Sequence, residues 1–309
     1  MARLISHLED GNPAARAPFA ALYPHGGRAY VLGVTGAPGS GKSTLVDALL
    51  NILRRQNLTA AVLAVDPSSP HGGGAILGDR VRMQRHAQDP GVFIRSMSAR
   101  GSLGGLALAT RQARHVVDAA GFQYVIIETV GVGQSELAIS AAADTTLVVI
   151  TPTMGDAIQT LKAGILEIAD LFALNKADHP GARQALQALR AMLHRLPATP
   201  WPIPLIETEA HHGQGLERLW ELILAHRSFQ ESGGDLAARR ARQTESEVRD
   251  LVEHGLRTEI LGALTSAEDF HGLVNQVVAR RQDPIQAARQ ILAETPRLFA
   301  SHEREPKHG

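Results

Sequence analysis

The chain has 309 residues, 31 basic and 31 acidic side chains, and no cysteine. A formal charge of zero gives no electrostatic case for nucleic acid or an anionic membrane as partner, and the missing thiols exclude disulfides, thiolate metal sites and cysteine nucleophiles. No apolar run of about 18 residues occurs, so no membrane span is expected; the first 30 residues carry Glu9 and Asp10 and lack the apolar run of a leader, so a cytoplasmic location is expected.

Residues 1–28 offer a short helix around Leu4–Leu8, then a Gly-Asn-Pro break and a proline- and glycine-bearing stretch, read as a loop-like cap on the domain that begins near residue 29. From Tyr30 the pattern is β–α–β: a strand near 30–34, a helix near 42–56, and a second apolar strand from Ala60 to Val65 ending at Asp66. Continuous apolar strands alternating with helices predict an α/β fold whose mostly parallel sheet is flanked by helices.

Between the first strand and the first long helix, Val31–Thr44 reads VLGVTGAPGSGKST. Gly36 through Ser43 meets the pattern G-x-x-x-x-G-K-[ST] in the context that pattern needs, which makes this a P-loop NTPase domain. The loop residues Gly36, Ala37, Pro38, Gly39, Ser40 and Gly41 are expected to wrap nucleotide phosphates at the positive end of the helix that begins with Lys42, Ser43 and Thr44. Lys42 would reach the β- and γ-phosphates, and the Ser43 hydroxyl is placed to ligate Mg²⁺.

Residues 67–82, PSSPHGGGAILGDRVR, are too rich in proline, serine and glycine for a regular element and read as a loop at the nucleotide. Asp66 at a strand end and Asp79 in this loop can approach a metal near the phosphates, or serve as turn and cap residues. A strand is expected at Val92–Arg95, a helix over 103–119, and a buried strand at Tyr124–Ile127 that ends in Glu128-Thr129-Val130-Gly131-Val132-Gly133-Gln134-Ser135. A carboxylate at a strand end followed three residues later by glycine suits a γ-phosphate site: Glu128 can hold a magnesium-bound water, and the Gly131 N–H can bond the terminal phosphate and release with it. Gln134 is a candidate for orienting water. The next strand, Thr146–Ile150, leads into Thr151–Lys162, where Lys162 either serves the phosphates or is a solvated helix lysine.

The stretch 170–178, DLFALNKAD, gives a strand and then Asn175-Lys176-Ala177-Asp178. One carboxylate can accept from both N1 and N2 of guanine but meets an unmatched edge on adenine, so Asp178 predicts GTP and GDP as ligands. Asn175 would tie this loop to the base and the phosphate loop, and the Lys176 stem would cover the base plane. A last strand is expected at Pro202–Ile206, followed by Glu207-Thr208-Glu209-Ala210-His211-His212 and a helix from Leu216 to about Phe229. The adjacent histidines lack metal-ligand spacing. Residues 230–236, ESGGDLA, read as a hinge, beyond which Val248, Leu251, Val252, Leu256, Ile260, Leu261 and Leu264 recur at helical spacing, with a break near Asp283-Pro284. The expected organisation is a cap (1–28), a GTPase domain (29–230) and a C-terminal helical arm with a polar tail (231–309).

GAPGSGKST, DPSSPHGGGAILGDRVRM, ETVGVGQSE and GDAIQTLKAGILEIADLFALNKAD together resemble the methylmalonyl-CoA mutase-associated GTPases of the MeaB/ArgK type, closely over residues 31–228. The resemblance implies a GTPase, slow alone and stimulated by its partner, that acts as a G-protein chaperone for an adenosylcobalamin-dependent acyl-CoA mutase and forms a homodimer through the arm. It also implies Ser43, Asp66, Asp79 and Glu128 as residues beside Mg²⁺, switches at 67–82, 129–136 and 151–162, and Lys162 as a lysine of partner-stimulated hydrolysis. Glu209, Ala210 and His211 match the loop that contacts guanine O6 through the Ala210 backbone, with Glu209 where the family usually has serine. A kinase of a small metabolite is the rival reading, because the same loop supports phosphoryl transfer.

Overall fold

The computed structural model describes residues 1–66, 83–98, 108–129, 135–152, 163–197, 199–233, 235–266 and 268–302. Its strands are β1 (Tyr30–Thr35), β2 (Ala60–Asp66), β3 (Val92–Ser98), β4 (Tyr124–Thr129), β5 (Thr145–Ile150), β6 (Leu171–Asn175) and β7 (Leu205–Thr208). They form one seven-stranded sheet in the order β3-β2-β4-β1-β5-β6-β7. Every pairing is parallel. The helices of the first part of the chain are α1 (Ala2–Glu9), α2 (Arg16–Leu22), α3 (Lys42–Arg55), α4 (Leu108–Ala119), α5 (Ser135–Ser140), α6 (Ala163–Ile168), α7 (Ala182–Leu193) and α8 (Leu216–Gly233). Next come α9 (Asp235–Ser266), α10 (Glu268–Val278) and α11 (Pro284–His302).

Strand residues alternate between two faces, which is why nearly unbroken apolar runs are needed. Leu32, Val34, Ala60, Val62 and Ile126 join the α3 and α8 side chains in one core, whereas Val31, Ala61, Leu63, Val125 and Ile127 join those of α1, α4 and α5 in another. A third cluster sets Val148, Ile150, Phe172 and Leu174 against Ala185, Leu186 and Leu189 of α7. β1 is the topological switch point, with β4 on one side and β5 on the other, and ligands of open α/β sheets bind at the carboxyl ends of the strands there.

Several elements differ from expectation. α2 replaces part of the supposed loop; its Pro18 falls in the first turn, where a missing N–H costs no intrahelical bond. The last strand begins at Leu205 and not at Pro202, since Pro202 and Pro204 cannot donate to a ladder. α7 is a helix with no counterpart among the expected elements. The supposed hinge at 230–236 is helical up to Gly233 and again from Asp235. Side chains of both helices grip the amino ends of the strands: Gln230 Nε2 donates to the Asp144 carbonyl at 3.0 Å, and Gln243 Nε2 to that of Ala143 at 2.8 Å. Arg239 makes a bidentate bond to Asp170 at 3.1 and 2.9 Å, and Arg240 binds the buried Asp144 at 2.9 and 2.7 Å.

By contacts the chain divides into two compact units, residues 1–244 and 245–309. The first holds the sheet. In the second, Val248, Leu251, Val252 and Leu256 form one exposed apolar stripe along α9, and Val278, Ile285 and Leu292 of the later helices are also exposed. No helix among the described residues is long and apolar enough to cross a membrane.

Candidate nucleotide-binding site

The phosphate loop leaves β1 at the centre of the sheet and turns into α3. Two of its glycines are fixed by geometry. Gly36 has φ +139°, and a Cβ there would overlap the Val149 carbonyl of β5. Gly41, the residue preceding α3, has φ +87°, and a Cβ there would overlap the Asn175 amide. The loop therefore lies against β5 and the β6 end, with the amino end of α3, where a helix favours negative charge, directly after it.

Lys42 is buried, and its ammonium donates to the carbonyls of Gly36 at 2.7 Å and Ala37 at 2.9 Å. The loop thus holds its own lysine folded inward. Ser43 lies on the next position of α3 and donates its hydroxyl to Glu128 Oε1 at 2.6 Å, with Glu128 only 5% exposed at the end of β4. This short contact between residues 85 apart in sequence brings together two of the four side chains expected beside the metal. Asp66 closes β2 in register with Ser98. Its side chain, and all of Asp79, Gly131, Gln134 and Lys162, lie outside the described residues.

The segment from Met83 is bound to α3. Arg85 forms an ion pair with Asp47, one turn beyond Ser43, and Arg54 Nε donates to Asp89 at 2.8 Å. His86 Nε2 also lies 3.2 Å from Asp47, but burial holds its imidazole below the usual value, so Arg85 supplies the positive charge that faces this buried carboxylate.

The loop after β6 is locked to both neighbours. Asn175, 2% exposed, donates through Nδ2 to the Ser40 carbonyl at 2.9 Å. Its Oδ1 accepts from the Thr208 hydroxyl at 3.3 Å and from the Ala210 N–H at 3.1 Å. Lys176 has φ +60° and donates to the Gly39 carbonyl at 2.9 Å, laying its stem along the phosphate loop. Asp178 is exposed two residues on. In the loop after β7, Glu209 holds His212 at 3.2 Å, while Ala210 and His211 line a cleft of about 770 Å³ beside α3. The Ala210 N–H expected to face guanine O6 here faces Asn175. Thr208 is a site residue that its sequence context does not reveal: its carbonyl also accepts from Ala177 N at 3.1 Å, so it fastens the two base-side loops together. No sequence signal marks it apart from its place at a strand end.

A family model described as "Methylmalonyl Co-A mutase-associated GTPase MeaB" matches residues 1–265. The chain belongs to the MeaB family. A relative of this MeaB-family chain in Pyrococcus abyssi is 44% identical over 297 residues, covering 95% of this chain and 91% of that one. "GTPase ArgK" of Escherichia coli is 36% identical, covering 84% of this chain and 78% of its own. The solved structure of a "LAO/AO transport system kinase" has 27% identity and a TM-score of 0.66, covering 94% of this chain and 96% of that one. The chain is thus a P-loop GTPase of the MeaB type, and the fold expected from its sequence is the fold observed.

Proposed function

We propose that this MeaB-family GTPase acts as a G-protein chaperone for an adenosylcobalamin-dependent acyl-CoA mutase, gating cofactor loading and protecting or reactivating the mutase, and that it works in the cytoplasm as a homodimer. The observation that carries this reading is the family match, which spans the whole first unit and continues into the second, to residue 265. The exposed stripe on α9 supports the homodimer.

The residues beside the phosphate loop fit Mg²⁺. Ser43 Oγ and Glu128 Oε1 are hard oxygen donors 2.6 Å apart, of the kind that Mg²⁺ takes in ones and twos alongside phosphate oxygens. Ser43 and Glu128, with Asp66 and Asp79, would hold the ion, which when bound supplies positive charge beside the β- and γ-phosphates. The chain's own residues position the nucleotide and meet developing charge. Lys42 is already drawn to the loop, so little reorganisation separates its resting position from one on phosphate oxygens. Asn175 and Lys176 hold the base-side loop against the phosphate loop, and Asp178 accepts from the guanine edge. Gly131, Gln134 and Lys162 are assigned to the terminal phosphate, the attacking water and the partner-stimulated step, respectively.

The test is the GTP hydrolysis rate of the purified protein with Mg²⁺, alone and with a purified cobalamin-dependent acyl-CoA mutase. A slow rate that the mutase raises at least tenfold is expected; a partner that supplies an arginine finger to a GTPase site can raise its rate by about 10³–10⁵-fold. Turnover that ignores every such mutase and appears only with a small-molecule phosphate acceptor would instead identify a kinase.

A further inference from the structure

Thr35 and Thr129 close β1 and β4, the strands that deliver the phosphate loop and Glu128. Their hydroxyls meet: Thr129 Oγ1 donates to Thr35 Oγ1 at 3.0 Å, with the two residues 1% and 0% exposed. The backbone register of β1 on β4 runs from Tyr30 opposite Tyr124 to Val34 opposite Glu128. The hydroxyl bond joins the next pair, one step beyond the last backbone partners.

Alternation along the strands puts the two threonines on the face opposite Glu128 and Val34. On that face Val31, Val125 and Ile127 pack against Ile139, Ala142 and Ala143 of α5 and the turn after it, and Thr146 of β5, opposite Gly33, also lies buried on it. A hydroxyl buried in such a layer is unfavourable unless paired, and two valines of the same shape would pack there without that requirement. A hydroxyl pair at this point is therefore tied to what lies on either side. Gly36, next after Thr35, offers the carbonyl that binds the Lys42 ammonium, and Glu128, next before Thr129, binds the Ser43 hydroxyl.

We infer that the Thr35–Thr129 hydroxyl bond is a positioning clamp for the GTPase site, fixing the separation between the phosphate loop and the carboxylate of Glu128. The inference rests on the assignment of Lys42, Ser43 and Glu128 to the nucleotide and its ion. Neither threonine touches the ligand; both act through their neighbours.

The experiment uses the full chain and the variants T129V, T129S and T35V/T129V, with E128Q as a control on the site itself. Two quantities are read: the melting temperature, and the affinities for GDP and for a slowly hydrolysed GTP analogue, each with Mg²⁺ and with EDTA. T129V is expected to melt lower and to bind the GTP analogue about tenfold more weakly with Mg²⁺, the scale of one lost hydrogen bond, while GDP in EDTA stays within about twofold. T129S, which keeps the hydroxyl, recovers both properties. T35V/T129V removes both partners, a change that is nearly neutral for stability, so its melting temperature returns while its Mg²⁺-dependent affinity does not. A double variant that recovers affinity along with stability would show the pair to be packing only and overturn the clamp, as would a T129V indistinguishable from the parent. If E128Q itself leaves Mg²⁺-dependent affinity untouched, the site assignment falls and the clamp falls with it.

Discussion

In the proposed base site Asp178 would carry the guanine preference almost alone, and that makes it the sharpest test of that site. It is exposed and held by no hydrogen bond among the described residues, so replacing it removes little structure. Asp178→Asn puts an amide where a carboxylate would accept from N1 and N2, leaving a donor facing a donor. GDP and GTP affinity should fall by roughly two orders of magnitude or more, as when a site built to hydrogen-bond its ligand loses the match. Titration of a fluorescent guanine nucleotide against the folded variant checks this, and retained selectivity for guanine over adenine would remove Asp178 from the base-reading role. The neighbouring residues show how far such chemistry is legible in sequence. Asn175, Lys176 and Asp178 announce themselves because three side-chain types recur at fixed spacing after an apolar strand. Ser40, Thr208 and Ala210, which hold Asn175 in place, do not, because they lie 135, 33 and 35 residues away and contribute one carbonyl, one hydroxyl and one N–H. The pairing of Ser43 with Glu128 is implied in sequence only through a shared metal; their direct 2.6 Å contact is a property of the folded sheet.

At the scale of elements, the strands could be found because burial on both faces demands runs of apolar residues, and their ends because the polar residues Asp66, Glu128 and Asn175 interrupt those runs. α2 could not, since a helix of seven residues with no buried side chain carries too short a pattern; α7 does carry helical spacing, in the buried Ala182, Ala185, Leu186 and Leu189, but two of those four are alanines, which mark an apolar face only weakly. Least visible was the polar base of the sheet, where α8 and α9 meet the amino ends of the strands. There His226, 2% exposed, bonds the Thr145 hydroxyl through Nδ1 at 2.7 Å, lies 3.5 Å from Asp170 through Nε2 and packs on Trp201. Burial lowers the pKa of His226 from its ordinary value of 6.5; Asp170 and Asp144 oppose that shift, while Arg239 adds to it. The folded chain therefore keeps the imidazole neutral, and below pH 6.5 the unfolded chain binds a proton that the folded one does not. Stability is full above that pH and declines as pH falls through the window beneath it, by at most about 1.4 kcal/mol per pH unit for this one group. His226→Gln keeps a donor for Thr145 but cannot titrate. Urea denaturation of the parent and the variant between pH 5 and 8 should show a shallower acid loss in the variant; parallel curves would mean that His226 is not the group responsible.

For the whole molecule, the two units obey different rules. Residues 1–244 bury three apolar clusters and pair the buried Asp144 with Arg240 and the part-buried Asp170 with Arg239, whereas residues 245–309 leave large apolar side chains in solvent. Val248, Leu251, Val252 and Leu256, each between 40% and 55% exposed, repeat at three- and four-residue spacing, so they share one face of α9. The periodicity is plain in the sequence, but a stripe has the same spacing whether it faces its own domain or another copy. Each of these side chains stabilises an interface by about 1.5–3 kcal/mol when fully buried, so four from each of two copies are enough to matter and two lysines among them are enough to prevent association. The parent chain of 33.0 kDa should run at twice that mass in light scattering at micromolar concentration, and V248K/V252K at the monomer mass with the first unit's melting unchanged. Basal hydrolysis should persist in the variant, since both valines belong to the second unit and the phosphate loop to the first. A parent that stays monomeric at all accessible concentrations would end the homodimer proposal and leave the stripe for a partner of a different sequence. In that case, stimulation of hydrolysis by the mutase should be the property that V248K/V252K loses.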